Sequence, residues 1–230
     1  MTDSPGLPSI IAIDGPAASG KSTLGLRLAK SLGYMFFDTG TLYRAVTWGA
    51  LEMGLDMGDE AAISALAGEA DIDLRAASVE DGRTADVLLD GEDITPATRS
   101  RPVDVNVSIV AAYPGVRKAL LQRQQNIGRR GKVVMVGRDI GTAVLPEADL
   151  KIYLDASAEE RARRRFDELR LRGEHPDYGQ ILAQVRERDR IDSTRSASPL
   201  RKAEDALVVN TDGLTPDETL ARVQEIVRGG

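Results

Sequence analysis

Ile10-Ile11-Ala12-Ile13 is an unbroken apolar run, the pattern of a strand buried on both faces in a parallel sheet. Behind it, Leu24, Leu28, Ala29 and Leu32 recur at helical spacing, and Gly33 stands where a helix closes. Tyr34–Phe37 predicts a second strand, and Thr39 or Thr41 caps a helix carrying Tyr43, Arg44, Trp48 and Leu51. Residues 59–70 read as a short alanine-rich helix. Ile72–Leu74 and Val87–Ile94 surround two Asp-Gly pairs, Asp81-Gly82 and Asp90-Gly91, a signal for antiparallel hairpins. Val116, Ala119, Leu120 and Ile127 predict a helix after Pro114, and Val133–Val136 a buried strand. Leu150–Asp155 is a further strand, with Ser157 capping a helix from Ala158 to Arg172. Ala206–Asn210 is the last strand, and Thr215 caps a final helix through Val227.

Strands alternating with helices predict an α/β fold with a parallel core sheet flanked by helices. Two connections are longer than the dozen or so residues a parallel crossover needs, Phe37 to Val133 and Asp155 to Ala206. The first holds the hairpins, a small β insert beside the core. The second contains Arg186-Glu187-Arg188-Asp189-Arg190-Ile191-Asp192-Ser193-Thr194-Arg195 and ends at Ser198-Pro199. That composition suits an arginine-rich mobile lid closing over phosphates, with an exposed loop between helices as the alternative. The expected organisation is a core of 9–37, 114–174 and 206–230, an insert region of 38–113 and a lid of 175–205. Arg161, Arg163, Arg164 and Arg165 stand among Glu159, Glu160, Asp167 and Glu168 and read as a solvated helix face.

Between the first strand and its helix lies Gly15-Pro16-Ala17-Ala18-Ser19-Gly20-Lys21-Ser22, followed by Thr23. Gly15 to Ser22 fits the phosphate-loop pattern G-x-x-x-x-G-K-[ST]. Two glycines let the backbone curl so that successive N–H groups face a phosphate. Lys21 brings a charge to the outer phosphates, and the Ser22 hydroxyl is a ligand for Mg²⁺. A glycine-rich turn that happens to contain Lys-Ser is the alternative. The strand–loop–helix context, which sets the anion at a helix N-terminus, favours nucleoside triphosphate binding. Asp38-Thr39-Gly40-Thr41-Leu42-Tyr43-Arg44 follows the second strand at the edge where open α/β sheets place ligands. Arg44 is there either a phosphate clamp or a solvated charge.

Bulk properties narrow the class. The chain has 230 residues, 42% hydrophobic and 29% charged, as in an ordinary globular protein. A net charge of −6 argues against a dedicated nucleic-acid binder. With no cysteine there is no disulfide framework, thiolate metal site or cysteine nucleophile. No apolar run approaches a membrane span, and Met1–Gly6 lacks the regions of a signal peptide. The expectation is a cytoplasmic protein, with residues 1–8 a loose tail. His175, the single histidine, reads as a surface residue.

Taken with Gly137-Arg138-Asp139-Ile140-Gly141-Thr142, and with Arg188-Asp189 through Asp192 to Arg195, the phosphate loop and the 38–44 stretch occur in an order that resembles bacterial cytidylate kinases, a family of P-loop nucleoside monophosphate kinases. The likeness runs from about residue 9 to the end and includes the β insert. It implies that Thr39, Arg44 and Arg138 hold the acceptor phosphate, and that Ser108, Arg117 and Asp139 read the cytosine edge. It further implies that Arg188 and Asp192 lie near the acceptor's sugar, while Arg195 faces the transferring phosphates. Lys21, Arg138, Arg188 and Arg195 then form the catalytic set, with Ser22 on the metal. Two positions depart. The family usually places an acid before Gly137, where its carboxylate would orient waters around Mg²⁺; here stands Val136, with Asp14 the expected partial substitute. Ile191 stands where the family tends to carry an arginine, so one phosphate contact is expected to be missing.

The implied reaction is transfer of the γ-phosphate of ATP to CMP, with dCMP a second acceptor, and Mg²⁺ as cofactor. Alternatives are a P-loop kinase for UMP, AMP or a small metabolite, and a non-catalytic nucleotide-binding switch. Asn210-Thr211-Asp212-Gly213 lacks the lysine of a guanine-specific switch. No heptad repeat or exposed apolar stripe is visible, so a monomer is expected, with small-molecule substrates and no nucleic-acid or membrane partner.

Overall fold

The computed structural model describes residues 6–75, 77–81 and 83–229. Along the chain the regular elements are β1 (Ile10–Asp14), α1 (Lys21–Leu32), β2 (Met35–Asp38), α2 (Gly40–Glu52), α3 (Glu60–Glu69), β3 (Ile72–Arg75), β4 (Asp86–Leu89) and β5 (Glu92–Asp93). They continue with α4 (Arg101–Val110), α5 (Pro114–Gly128), β6 (Val133–Gly137), β7 (Leu150–Asp155), α6 (Ala158–Leu171), α7 (Tyr178–Thr194), β8 (Leu207–Asn210) and α8 (Pro216–Gly229). The chain divides into two compact units, one containing the residues up to Asp38, Ile127–Thr194 and those from Ser198, the other Thr39–Asn126 with Arg195–Ala197.

The first unit is built on a five-stranded sheet in the order β2-β6-β1-β7-β8, all pairs parallel. The α/β class expected from the alternating pattern is therefore the observed one. Residues 11–14 of β1 and the whole of β6 are buried, which is why their sequences run apolar rather than alternating. Ile11, Ile13, Val134, Val136, Ile152, Leu154 and Val209 share one core with Leu24 and Leu28 of α1 and Val223 and Val227 of α8. A side chain as fully buried as Leu28 contributes on the order of 2 kcal/mol by leaving water.

Local chemistry sets the helix ends. Gly33 closes α1 at φ 67°, its N–H reaching back to carbonyls of Ala29 and Lys30, a backbone state glycine enters at little cost. Ser157 Oγ accepts from Glu160 N at 3.2 Å to start α6. At α8, Thr215 Oγ1 accepts from Glu218 N while Glu218 Oε2 accepts from Thr215 N, at 3.2 and 2.8 Å, a reciprocal capping box. Because the five strands are parallel, their carboxyl ends share one edge. There Asp14 stands level with Gly137, and Asp38 with Val136.

In the second unit α2 packs against α3, α4, β4 and the 3₁₀ turn Ala97–Arg99. The expected β insert is a three-stranded antiparallel sheet, β3-β4-β5. Asp90 and Gly91 turn β4 into β5 with φ of 50° and 86°, the left-handed pair of the tight hairpin that Asp-Gly encodes. Gly82, of the other Asp-Gly pair, lies outside the described residues. Beside it, the Arg83 side chain, only 8% exposed, pairs with Asp81, Asp86 and Asp93 and so ties the β3–β4 connection to β5.

Several boundaries move. The second strand begins and ends one residue later than its apolar pattern, at Met35 and Asp38. Thr39 is the residue before α2, but its side chain makes no capping bond. The arginine-rich stretch is neither loop nor strand: through Thr194 it forms the second half of α7, fastened to α6 by a small cluster of Ala162, Ile181 and Val185 with Phe166, Leu169 and Leu182 around it. Of the expected N-terminal tail, residues 1–5 lie outside the described residues.

Candidate functional site

The loop between β1 and α1 has the backbone its sequence demands. A Cβ on Gly15 would stand 2.2 Å from Leu154 O, so no side chain fits there. Ala18 and Gly20 take φ of 59° and 90°. The cost at Ala18, roughly 1 kcal/mol, is retained in a loop that must turn its amides inward. Ser19 is buried, and its Oγ has no hydrogen-bond partner among the described residues.

Lys21, 6% exposed, donates from Nζ to Pro16 O at 2.8 Å. Burial, and then the neighbouring Arg138 charge, hold its ammonium well below the usual lysine range, while Asp38, Asp192 and Asp14 oppose the shift. An incoming polyphosphate acts in the same direction as those carboxylates and favours the charged form. Ser22 Oγ donates to Asp38 Oδ2 at 2.6 Å.

Two arginines that the charge pattern assigned to a solvated face belong to this loop. Arg161, 4% exposed, donates to Ala17 O at 3.1 Å, to Ala156 O at 3.0 Å, and to both oxygens of Asp189. Arg164 donates to Ser19 O at 3.4 Å and to Thr211 O at 2.5 Å. In a trans peptide the carbonyl and the following N–H point opposite ways. Holding Ala17 O and Ser19 O on the arginine side therefore aims the N–H groups of Ala18 and Gly20 to the other side. The solvated reading holds for Arg163 and Arg165, which pair on the helix surface with Glu160, Asp167 and Glu168. What distinguishes the pairs is position: 161 and 164 are one turn apart on α6, on the face turned to the loop. Burial, not sequence spacing, reveals it.

Asp14 closes the far side of the strand edge. Its Oδ1 accepts from Ile140 N at 2.7 Å and its Oδ2 from Gly141 N at 2.8 Å, fixing the single π turn Ile140–Val144 that follows Asp139. Burial pushes its carboxyl up to about 6 against these two bonds, which lower it. Asp14, expected as a partial substitute for a metal-ordering acid, thus directs both of its oxygens at backbone N–H groups.

Among the other expected site residues of the first unit, Arg138 Nε donates to Asp192 Oδ2 at 2.8 Å, with the Asp192 side chain 7% exposed. Asp139 is 5% exposed, and Arg188 on α7 is half-buried. The first unit thus gathers Lys21, Ser22, Arg138 and Asp192 around the carboxyl ends of β1, β2 and β6.

The second unit holds Thr39, Arg44, Ser108, Arg117 and Arg195. Arg44 donates to Thr98 O at 2.8 Å and pairs with Asp104 at 2.7 Å, so α2 presents it anchored rather than loose in solvent. Ser108 and Arg117 are each 7% exposed. Arg117 donates to Ala111 O at 3.0 Å and lies 5.3 Å from the Tyr43 ring centre, a cation–π stack that holds the guanidinium plane. Thr39 and Arg195 are buried as well.

The residues present fit a nucleotide with its divalent cation: a buried Ser19 hydroxyl without a partner, amides turned inward, a buried lysine and a serine whose proton is held by a carboxylate. Among the described residues no three His, Cys, Asp or Glu side chains could hold a metal by themselves. A bound Mg²⁺ would then take most of its ligands from phosphate and water, as that ion commonly does. No helix among the described residues is long and apolar enough to cross a membrane.

A family model described as cytidylate kinase matches residues 11–229. A cytidylate kinase of Chloroflexus aggregans is 52% identical over 217 residues, covering 94% of this chain and 93% of the relative. That of Bacillus licheniformis is 48% identical over 217 residues, covering 94% and 95%. That of Herpetosiphon aurantiacus is 48% identical over 220 residues, covering 96% and 94%. Matched nearly from end to end at about half identity, and carrying the phosphate loop intact, this chain belongs to the cytidylate kinase family.

Proposed function

We propose that this chain is an ATP-dependent kinase that phosphorylates CMP and dCMP, giving ADP with CDP or dCDP. The observation that carries the reading is the near end-to-end likeness to relatives named cytidylate kinase, joined to a phosphate loop whose amides, lysine and serine have the required arrangement. The reading includes a monomer acting in the cytoplasm on small-molecule substrates, with Mg²⁺ accompanying ATP.

The acceptor phosphate is already mostly dianionic at neutral pH, its second pKa being about 6. The reaction therefore needs no general base, only positioning and charge neutralisation while two polyanions meet in line. The inward amides of the 15–20 loop, set by Arg161 and Arg164, cradle the donor phosphates. Lys21 leaves Pro16 O for the outer phosphates. When bound, Mg²⁺ neutralises phosphate charge and draws its protein contact from Ser22. Arg138, Arg188 and Arg195 stabilise the transferring phosphoryl group, and their planar forks suit that task better than lysine. Thr39, Arg44 and Arg138 hold the acceptor phosphate. Ser108, Arg117 and Asp139 recognise the cytosine edge, while Asp192, oriented by Arg138, and Arg188 take the sugar. Residues 175–205, largely α7, act as a lid that limits transfer to water.

The test is ADP release from Mg·ATP with CMP, dCMP, UMP, AMP or no acceptor. Strong stimulation by CMP and dCMP alone is expected. Stimulation by a different acceptor would overturn the assignment of Ser108, Arg117 and Asp139.

A further inference from the structure

The sheet register shows which carboxylate faces the first turn of α1. Val136 is level with Ile13 on one side and with Asp38 on the other. Residues level with one another in neighbouring parallel strands project to the same face, strands being about 4.8 Å apart. Val136 lies on the α1 face, since its Cγ1 is 2.6 Å from the point where a Cβ on Gly25 would stand. Gly25 is three residues along α1 from Ser22, hence on the same side of the helix. Position 136 thus sits below the phosphate-loop serine, but as a fully buried valine within the apolar core it has no side-chain atom that can order a water.

Asp14 is one residue beyond Ile13, so strand alternation sends it to the opposite face, where it meets Ile140 and Gly141. Asp38 is on the α1 face, and its Oδ2 accepts the Ser22 hydroxyl proton at 2.6 Å. With that proton held, the Ser22 oxygen lone pairs are turned away from Asp38 and available to a cation. We propose that Asp38 is the positioning carboxylate for the divalent cation that accompanies the nucleotide, acting from β2 through the Ser22 hydroxyl. Asp38 orients Ser22 Oγ and accepts hydrogen bonds from water on the cation, one strand over from position 136. The proposal rests on the nucleotide-kinase reading only for its donor, ATP with a divalent cation, not for the identity of the acceptor.

Asp38→Asn is nearly isosteric, and its amide oxygen can still accept from Ser22, so a merely structural role predicts little change. The measurement is calorimetric affinity for ATP with and without Mg²⁺, supported by electron paramagnetic resonance of Mn²⁺ in the presence of ATP. In the native chain Mg²⁺ is expected to tighten ATP binding. In Asp38→Asn that gain should fall roughly 10- to 100-fold, as when a group supporting a metal ligand is removed, with metal-free ATP binding retained. Asp38→Asn/Val136→Asp should recover much of the gain, because it returns a carboxylate to the same face. An undiminished Mg²⁺-dependent gain in Asp38→Asn, or equal ATP affinity with and without Mg²⁺ in the native chain, overturns the proposal. If the double variant fails to fold, the single variant still decides. A native chain that shows the gain and its loss in Asp38→Asn, but turns over no CMP, would support this inference while sinking the acceptor assignment.

Discussion

Arg161 donates to both carboxylate oxygens of Asp189, at 2.9 and 2.5 Å, while the same guanidinium reaches Ala17 O in the phosphate loop at 3.1 Å. One side chain thereby links α6, α7 and the loop whose amides must face phosphate. Arg161→Ala is expected to weaken ATP binding at least about tenfold and to lower stability by about 3 kcal/mol, the scale for breaking a buried pair. Arg161→Lys should recover little, because a single ammonium cannot make the two-pronged bond. Calorimetry with ATP and urea unfolding check the two effects separately. Lowered stability with unchanged ATP affinity would reduce Arg161 to a structural tie.

Lys21 is buried, and its ammonium is held by a carbonyl of its own loop, Pro16 O. Replacing it should therefore cost chemistry far more than folding. Lys21→Ala is expected to lower CMP-dependent turnover by at least about 100-fold, with a thermal midpoint at or above that of the native chain. Robust turnover in that variant would remove Lys21 from the mechanism.

Asp14 makes stability depend on pH in a defined direction. Its folded carboxyl is raised from 3.8 to about 6 by burial, so between those values the folded state holds a proton that the unfolded chain releases. Its contribution is fully present below about pH 4, falls as pH rises toward 6, and is level above that. Asp14→Asn removes the titration. The stability of the native chain relative to this variant should thus decline from pH 4 to pH 6, read by urea unfolding at each pH. A flat difference would contradict the raised value.

Ser108 is buried on α4 and is assigned to the base rather than to phosphate transfer. Ser108→Ala should raise KM for CMP roughly tenfold, about 1.4 kcal/mol for one lost hydrogen bond, with kcat within about twofold. Initial rates over a range of CMP concentration separate the two. A fall in kcat with KM unchanged would move Ser108 out of the recognition set.

The phosphate loop was the most legible part of the chain because its requirements are local: glycine where a side chain collides or φ turns positive, lysine and serine at a set distance along the backbone. The core strands and the helix caps at Gly33, Ser157 and Thr215 were legible for the same reason. Arg161 and Arg164 were not. Their acidic neighbours are close in sequence, whereas the carbonyls of Ala17 and Ser19 that they meet are more than a hundred residues away. The helix at 186–194, within a stretch expected as a mobile lid or an exposed loop, was not legible because its charges alternate and the buried residues of α7, Ile181, Val185 and Asp192, are few.

By itself, the amino-acid order determined that β1, its loop and α1 form a phosphate site, that the sheet is parallel, and that an antiparallel insert interrupts it. It also determined, through motif order, the family to which the chain belongs. Only the tertiary structure decided which carboxylate serves which partner. Asp14 and Asp38 both end strands and look alike in sequence, but sheet register and the two-residue alternation of side chains send one to the backbone of residues 140–141 and the other to Ser22. That choice depends on which strands are neighbours and in what register, a long-range property that no local pattern encodes.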